Sequence, residues 1–309
     1  MIVSDGQRPL EHPLREAERI EREQPALQAD LAARLFPRSQ IALEDATVAS
    51  ARAILFTLVN AIEADLTGEE PGLSWPIIER SRLLDHPPLL KFLMAHAAWL
   101  RLGQRLPAPL WQRSNVWLSG HIDDDDGLLS ESIFSLLSAR SRTVEERLSG
   151  RYDLPAPIFR HLVRQIDAAL LSSDKADPHR AHDVTTLLAA HDEAAGLSHL
   201  SARLAVQLAR DENIEGLRDP VHAGLDLFAG FLASELGCSW HDIVLMLGEG
   251  GVRLMLLLRA AAFRRSEAQG IADLLSPTDS VPDLTHYKDV SKKAARALIA
   301  ATGSGFDDA

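Results

Sequence analysis

Apolar positions along this chain recur with the period of a helix almost everywhere. In EDATVASARAILFTLVNAIEADL, residues 44–66, Ile54, Leu58 and Ile62 fall every four residues. Leu55, Val59 and Leu66 widen that stripe to the width of a core-facing helix. Two prolines open PPLLKFLMAHAAWLRLG, residues 87–103, and Gly103 suits its end. LPAPLWQRSNVWL, LLSESIFSLLSAR and TVEERL predict shorter helices. In YDLPAPIFRHLVRQIDAALLSS, Asp153 is placed to cap, and Phe159, Leu162, Val163, Ile166 and Leu170 form the apolar stripe. DPHRAHDVTTLLAAHDEAAG predicts a helix with Asp177 as cap, Pro178 in first position and Gly196 at its close. Nothing predicts a strand, and no Asn-Gly or Asp-Gly sits between alternating apolar runs.

The most apolar stretch is IVLMLGEGGVRLMLLLRAAAF, residues 243–263. Glu249, Arg253, Arg259 and a glycine cluster interrupt it, which predicts two buried helices rather than a membrane span. Just before it, Ser239 and Asp242 have the spacing of a capping box with Asp in place of Glu. LGCSWHDIVLMLGEGG and AAFRRSEAQGIADLLSP echo one another weakly: a turn, a polar starter, then a short amphipathic helix. Short turns place consecutive helices as antiparallel neighbours. The expected fold is therefore all-α, an α-solenoid-like or irregular array of short antiparallel helices of HEAT-like style. It covers residues 1–277, with a possible subdomain break near 119–127; residues 278–309 supply a polar linker, a terminal helix and a flexible tail.

Composition agrees. Aromatics are only 5% of the 309 residues, which disfavours a large sheet, while Ala, Leu, Arg and Glu favour helix. A net charge of -12 argues against nucleic acid or an anionic membrane as the partner. The opening residues are too charged for a signal peptide, and the single cysteine, Cys238, fits a small core residue in a reducing cytoplasm.

VEERLSGRYDLPAPIFRHLVRQIDAAL and LLLRAAAFRRSEAQGIADLL carry a resemblance. Their Asp-Leu-Pro helix start and Arg/Ala/Leu-rich amphipathic follow-up resemble an alphaproteobacterial helical family known as domain of unknown function 2336. The resemblance implies an all-helical, repeat-like, cytoplasmic protein, and it brings no catalytic residue or cofactor.

Several stretches invite chemistry. HIDDDDG, residues 121–127, looks like a cation loop. A Ca²⁺ loop with Gly127 at its sixth position would put Ile122 first and Ile133 twelfth, and neither supplies a side-chain oxygen. Asp126 or Ser130 instead suits the cap of the following helix. His161, with the His191-Asp192 pair, resembles the dyad of metal-dependent phosphohydrolases, in which bound metal activates water. His179, His182 and His199 add to the same histidine-rich stretch, but His182 and His191 cannot share a helix face. GEGG, residues 248–251, has neither a preceding strand nor a following lysine, so it predicts a helix-to-helix turn rather than a phosphate loop.

Lys288, Lys292, Lys293 and Arg296, beside Tyr287, form a basic patch suited to an acidic partner or to a solvated helix face backed by Val290, Ala294, Ala297 and Leu298. Trp75, Trp99, Trp111 and Trp117 are candidate partner anchors that apolar neighbours equally suit to the core. The leading expectation is a non-enzymatic, cytoplasmic helical scaffold or regulatory protein that binds another protein and needs no cofactor. The alternatives are a metal-dependent phosphohydrolase using His161, His191 and Asp192, and a regulatory module with a small ligand in a helical crevice. An exposed tryptophan or a contiguous apolar patch would favour the first.

Overall fold

The computed structural model describes residues 46–68, 71–78, 86–106, 109–122, 126–142, 146, 149–172, 180–210, 214–276, 284 and 287–303. Among these residues every regular element is helical. The first helices are α1 (Ala46–Thr67), α2 (Trp75–Ile78), α3 (Pro87–Arg105), α4 (Pro109–Ser119) and α5 (Gly127–Arg140). There follow α6 (Ala156–Leu171), α7 (Arg180–Ala190), α8 (Leu197–Arg210), α9 (Ile214–Leu217) and α10 (Pro220–Ala223). The last are α11 (Leu225–Leu236), α12 (Trp240–Glu249), α13 (Gly251–Ala260), α14 (Arg265–Leu275) and α15 (Lys292–Gly303). The expected all-α array of short helices is what the chain forms.

The chain divides into two compact units. One takes the described residues of Leu27–Ala97 together with Ser135–Leu200. Its core is the α1 stripe, where Leu55, Leu58, Val59 and Ile62 are fully buried. That stripe packs on α6 and α7, and α2 lies against α1 and α6. The α6 stripe is buried as its spacing requires, from Phe159 through Leu162, Val163 and Ile166 to Leu170.

The other unit takes Ala98–Phe134 and the described residues of Ser201–Ala309. Here α11, α12, α13 and α14 each pack on the next, and α15 packs on α13. Gly237 ends α11 in the left-handed conformation at φ 67°, its N–H returning to the Ala233 carbonyl. Half-buried Cys238 follows in that turn, not inside the core. The Ser239 hydroxyl oxygen accepts the Asp242 N–H at 3.1 Å, and its proton goes to the Asp242 carboxylate. The capping residues are thus those expected, although the acid reaches the hydroxyl and not the backbone amide. Gly250 and Gly251, at φ 68° and 53°, make GEGG the helix-to-helix turn. No helix of the described residues is long and apolar enough to cross a membrane. Buried Arg253 is neutralised by Glu249, one turn away at 2.9 Å.

Asp126 accepts the Leu129 N–H at 3.0 Å and caps α5; Asp123, Asp124 and Asp125 lie outside the described residues, as do Asp177, Pro178, His179 and the polar stretch from Thr278 to Asp283. The terminal helix buries Ala295 and Ile299, with Val290 before it, whereas Ala297 is exposed and Ala294 and Leu298 are half-buried. The apolar face is therefore rotated from the one expected, and Arg296, half exposed, donates from its flank to the Ala260 carbonyl at 3.0 Å.

Candidate functional site

A buried carboxylate organises the first candidate surface. Glu63, on α1, has no exposed area. Its Oε1 accepts the backbone N–H groups of Gly72 at 3.0 Å and Leu73 at 2.8 Å. Its Oε2 accepts the Ser74 N–H at 3.1 Å and the Ser74 hydroxyl at 2.5 Å. Burial alone would raise this carboxyl, but the Ser74 hydroxyl and the three amides together hold it below the ordinary glutamate value. Gly72 adopts φ 138°, which lets the loop turn its amide onto the carboxylate.

The anchored loop delivers Trp75 as the first residue of α2. Its ring meets Phe56 edge-on, with centroids 5.1 Å apart. Ala49, Arg52, Ala53, Phe56 and Trp75 line an open groove of about 440 Å³. Ala49, Ala53 and Phe56 follow helical spacing, so they share one face of α1. Large apolar side chains stay in solvent here: Phe56 is 43% exposed, Leu73 38% and Ile77 36%. Isolated exposed apolar residues need no explanation, but Phe56 lines the groove beside a tryptophan.

The histidines are differently employed. His161 stacks on His86 with centroids 4.9 Å apart. The His86 Nδ1 accepts the Leu89 N–H at 3.4 Å, at the start of α3. Burial, then the neighbouring His161, keeps His86 below the usual histidine value. His191 follows the end of α7; its ring stacks on Phe159 at 3.9 Å, and its Nε2–H donates to the Leu154 carbonyl at 3.0 Å. Burial keeps it neutral-leaning, helped by Arg151 and opposed by the Leu154 carbonyl and by Glu193 and Asp192. Asp192 accepts the Ala194 N–H at 3.0 Å and caps a 3-10 turn over Glu193–Ala195. His161, His191 and Asp192 thus have separate engagements. Among the described residues no three His, Cys, Asp or Glu side chains are grouped so as to hold a metal ion.

The neighbourhood of His191 is an exchange of helix caps. Asp153, just before α6, accepts the Ser198 N–H of α8 at 2.7 Å. Glu193, just before α8, accepts the Ala156 N–H of α6 at 2.6 Å. Each helix start is satisfied by an acid preceding the other, so Asp153 caps a helix that is not its own. Gly196 does not close α7, which ends at Ala190. Its role is space: a Cβ there would come within 2.5 Å of the Tyr152 carbonyl oxygen.

Of the tryptophans, Trp99 is core at 6% exposure, whereas Trp75 and Trp117 are half-buried. Trp117 packs so tightly on Gly216 that a Cβ there would stand 2.5 Å from its ring. The Trp111 side chain lies outside the described residues, as does that of His182. Comparison with family models, curated proteins and solved structures finds no match for this chain.

Proposed function

We propose that this chain is a non-enzymatic, cytoplasmic helical scaffold that binds another protein, and that the groove beside Trp75 is where it does so. The observation that carries the reading is the Phe56–Trp75 pair on the groove wall, with Phe56 exposed and Trp75 half-buried at the end of the loop that buried Glu63 holds. A tryptophan wall beside an open apolar channel is the kind of anchor on which binding energy concentrates. Ala49 and Ala53 leave room for a partner backbone to approach α1. The occupant is an amphipathic helix that lays its apolar face along the groove. The anchored loop needs no reordering on binding, which spares part of the entropic cost of association.

The test compares wild type with Phe56→Asp and with a control at an exposed apolar position of the same unit, Leu171→Asp, as affinity baits in the source cell. A partner retained by wild type and the control but lost by Phe56→Asp, and whose isolated helix competes for binding, supports the reading. Equal recovery by all three baits contradicts it.

A further inference from the structure

The second unit gathers positive charge on a chain whose net charge is -12. Arg259, Arg264, Arg265, Lys288 and Lys292 line one open cleft of about 1120 Å³. They come from the end of α13, the start of α14 and the segment entering α15. Sequence spacing suggests only the Lys288–Lys292 part, since Arg259 to Arg265 arrive from elsewhere in the chain. Of the four basic residues that the sequence groups together, Arg296 is spent on the Ala260 carbonyl and on Glu235 at 2.5 Å, and Lys293 is not on the wall.

The cleft is built on an internal frame. The Tyr287 hydroxyl donates to the Phe263 carbonyl at 2.9 Å, and both side chains are 1% exposed. Burial pushes the Tyr287 phenol well up, with Arg259 and Arg218 offsetting only part, so it remains a neutral donor. Arg218 lies 3.9 Å over the Phe263 ring and donates to the carbonyls of Ala261 and Ala262. Glu267 is committed to Arg218 at 3.2 Å and to the Arg264 amide at 2.7 Å. Burial would raise its carboxyl, but those two bonds hold it below the ordinary value. Glu267 therefore offsets Arg218 and part of the Arg264 charge, and leaves Arg259, Arg265, Lys288 and Lys292 as the wall cations it does not offset. Arg259 is fixed by its Nε bond to the Val290 carbonyl at 2.6 Å, which leaves its terminal N–H groups available. Among the described residues, the side chains of Arg265, Lys288 and Lys292 make no ion pair.

We infer that this cleft is a binding site for a small polyphosphate anion that carries no aromatic base. Cations gathered around one space raise the local positive potential, which favours an anion of several charges that joins them. Guanidinium forks with ammonium groups suit phosphoryl oxygens, and Ser266 on the same wall adds a neutral donor, while the Gln269 amide donates to Asp273 at 2.8 Å. Among the described residues the cleft offers no open aromatic face, which favours a ligand without a base. Phe263 is covered by Arg218, and Tyr287 is buried in the floor, so neither offers a face to a base. The chain's overall negative charge opposes a long nucleic acid, whereas a compact anion feels mainly the local field.

The test is calorimetric titration of the full chain with tripolyphosphate, ATP and inorganic phosphate at about 0.1 M salt, where exposed charges more than about 10 Å apart are largely screened. Tripolyphosphate is expected to bind tighter than phosphate and at least as tightly as ATP. Arg265→Glu and Lys292→Glu are each expected to weaken tripolyphosphate by about tenfold or more, an energy of about 1.4 kcal/mol. Lys293→Glu, the same charge change off the wall, is expected to cost less than about threefold. Thermal melts of the variants, unchanged from wild type, keep loss of binding separate from loss of fold. The inference is overturned by absence of binding, by equal loss in all three variants, or by ATP binding much tighter than tripolyphosphate.

Discussion

The groove and the cleft are opposite surfaces made by one device. In the first unit a buried anion, Glu63, collects four donors from a loop and leaves aromatic and aliphatic side chains facing solvent. In the second a cation, Arg218, collects two carbonyls, an aromatic face and Glu267, and leaves arginines and lysines facing solvent. In each case an internal polar anchor replaces the stability that a short helix lacks alone. The surface chemistry is then free to differ, because the fold does not depend on it. That separation makes the comparison breakable: removing an anchor should damage fold and surface together, while changing a wall residue should damage only binding.

The largest effect is expected from Glu63→Ala. It strands the buried Ser74 amide and hydroxyl and two part-buried amides, and should cost about 3 kcal/mol in chemical denaturation. Loss of the groove's partner at temperatures where the variant remains folded would tie anchor to surface. A change within about 0.5 kcal/mol, the range of ordinary surface substitutions, would remove Glu63 from its role. Arg218→Ala should come next, at about 2 kcal/mol, through lost stacking on Phe263 and two unsatisfied carbonyls. Phe56→Ser and Lys292→Gln, by contrast, should leave stability nearly unchanged.

Acid should act on the groove unit more than on the cleft. His86 and His191 sit below the usual value of 6.5, so they are neutral when folded, and the unfolded chain takes up their protons first as pH falls below that value. Glu63 sits below 4.5, so its contribution persists above that value and is lost as pH falls through its lower folded value. Thermal melts across this range should show a steady decline below about pH 6.5, shallower in His191→Gln. A pH-independent midpoint down to about pH 5 would contradict the burial assigned to these rings. The smallest expected effect is a gain. Ala262 holds φ 62° between α13 and α14, so Ala262→Gly should stabilise by about 0.5 kcal/mol, read as a raised melting temperature.

Local signals in the chain were legible where one segment decides the outcome. The α1 and α6 stripes, the Asp126 and Ser239 caps and the division of residues 243–263 into α12 and α13 follow from neighbours a turn or less away. What was hidden depends on distant segments. Asp153 looks like the cap of its own helix, and only the approach of α6 and α8 hands it the Ser198 N–H and hands the Ala156 N–H to Glu193. His191 lies on an apparent apolar stripe, yet the helix stops one residue earlier because Phe159 and the Leu154 carbonyl offer it a better place. Glu63 follows Ile62 as one more polar position, and nothing local announces the loop it holds. The one hint was GLSW, a glycine and a serine just ahead of a tryptophan. Likewise the cleft draws Arg259, Arg264 and Arg265 together with lysines more than twenty residues away.

The most direct test of the central claim is site-specific photo-crosslinking in the source cell, with a photoreactive residue at position 56 or, separately, at exposed position 171 in the same unit. A single partner crosslinked from position 56 through one amphipathic helix, and absent from position 171, is the expected result. Crosslinks that are the same from both positions, or none from position 56 above background, would contradict a partner-binding groove beside Trp75.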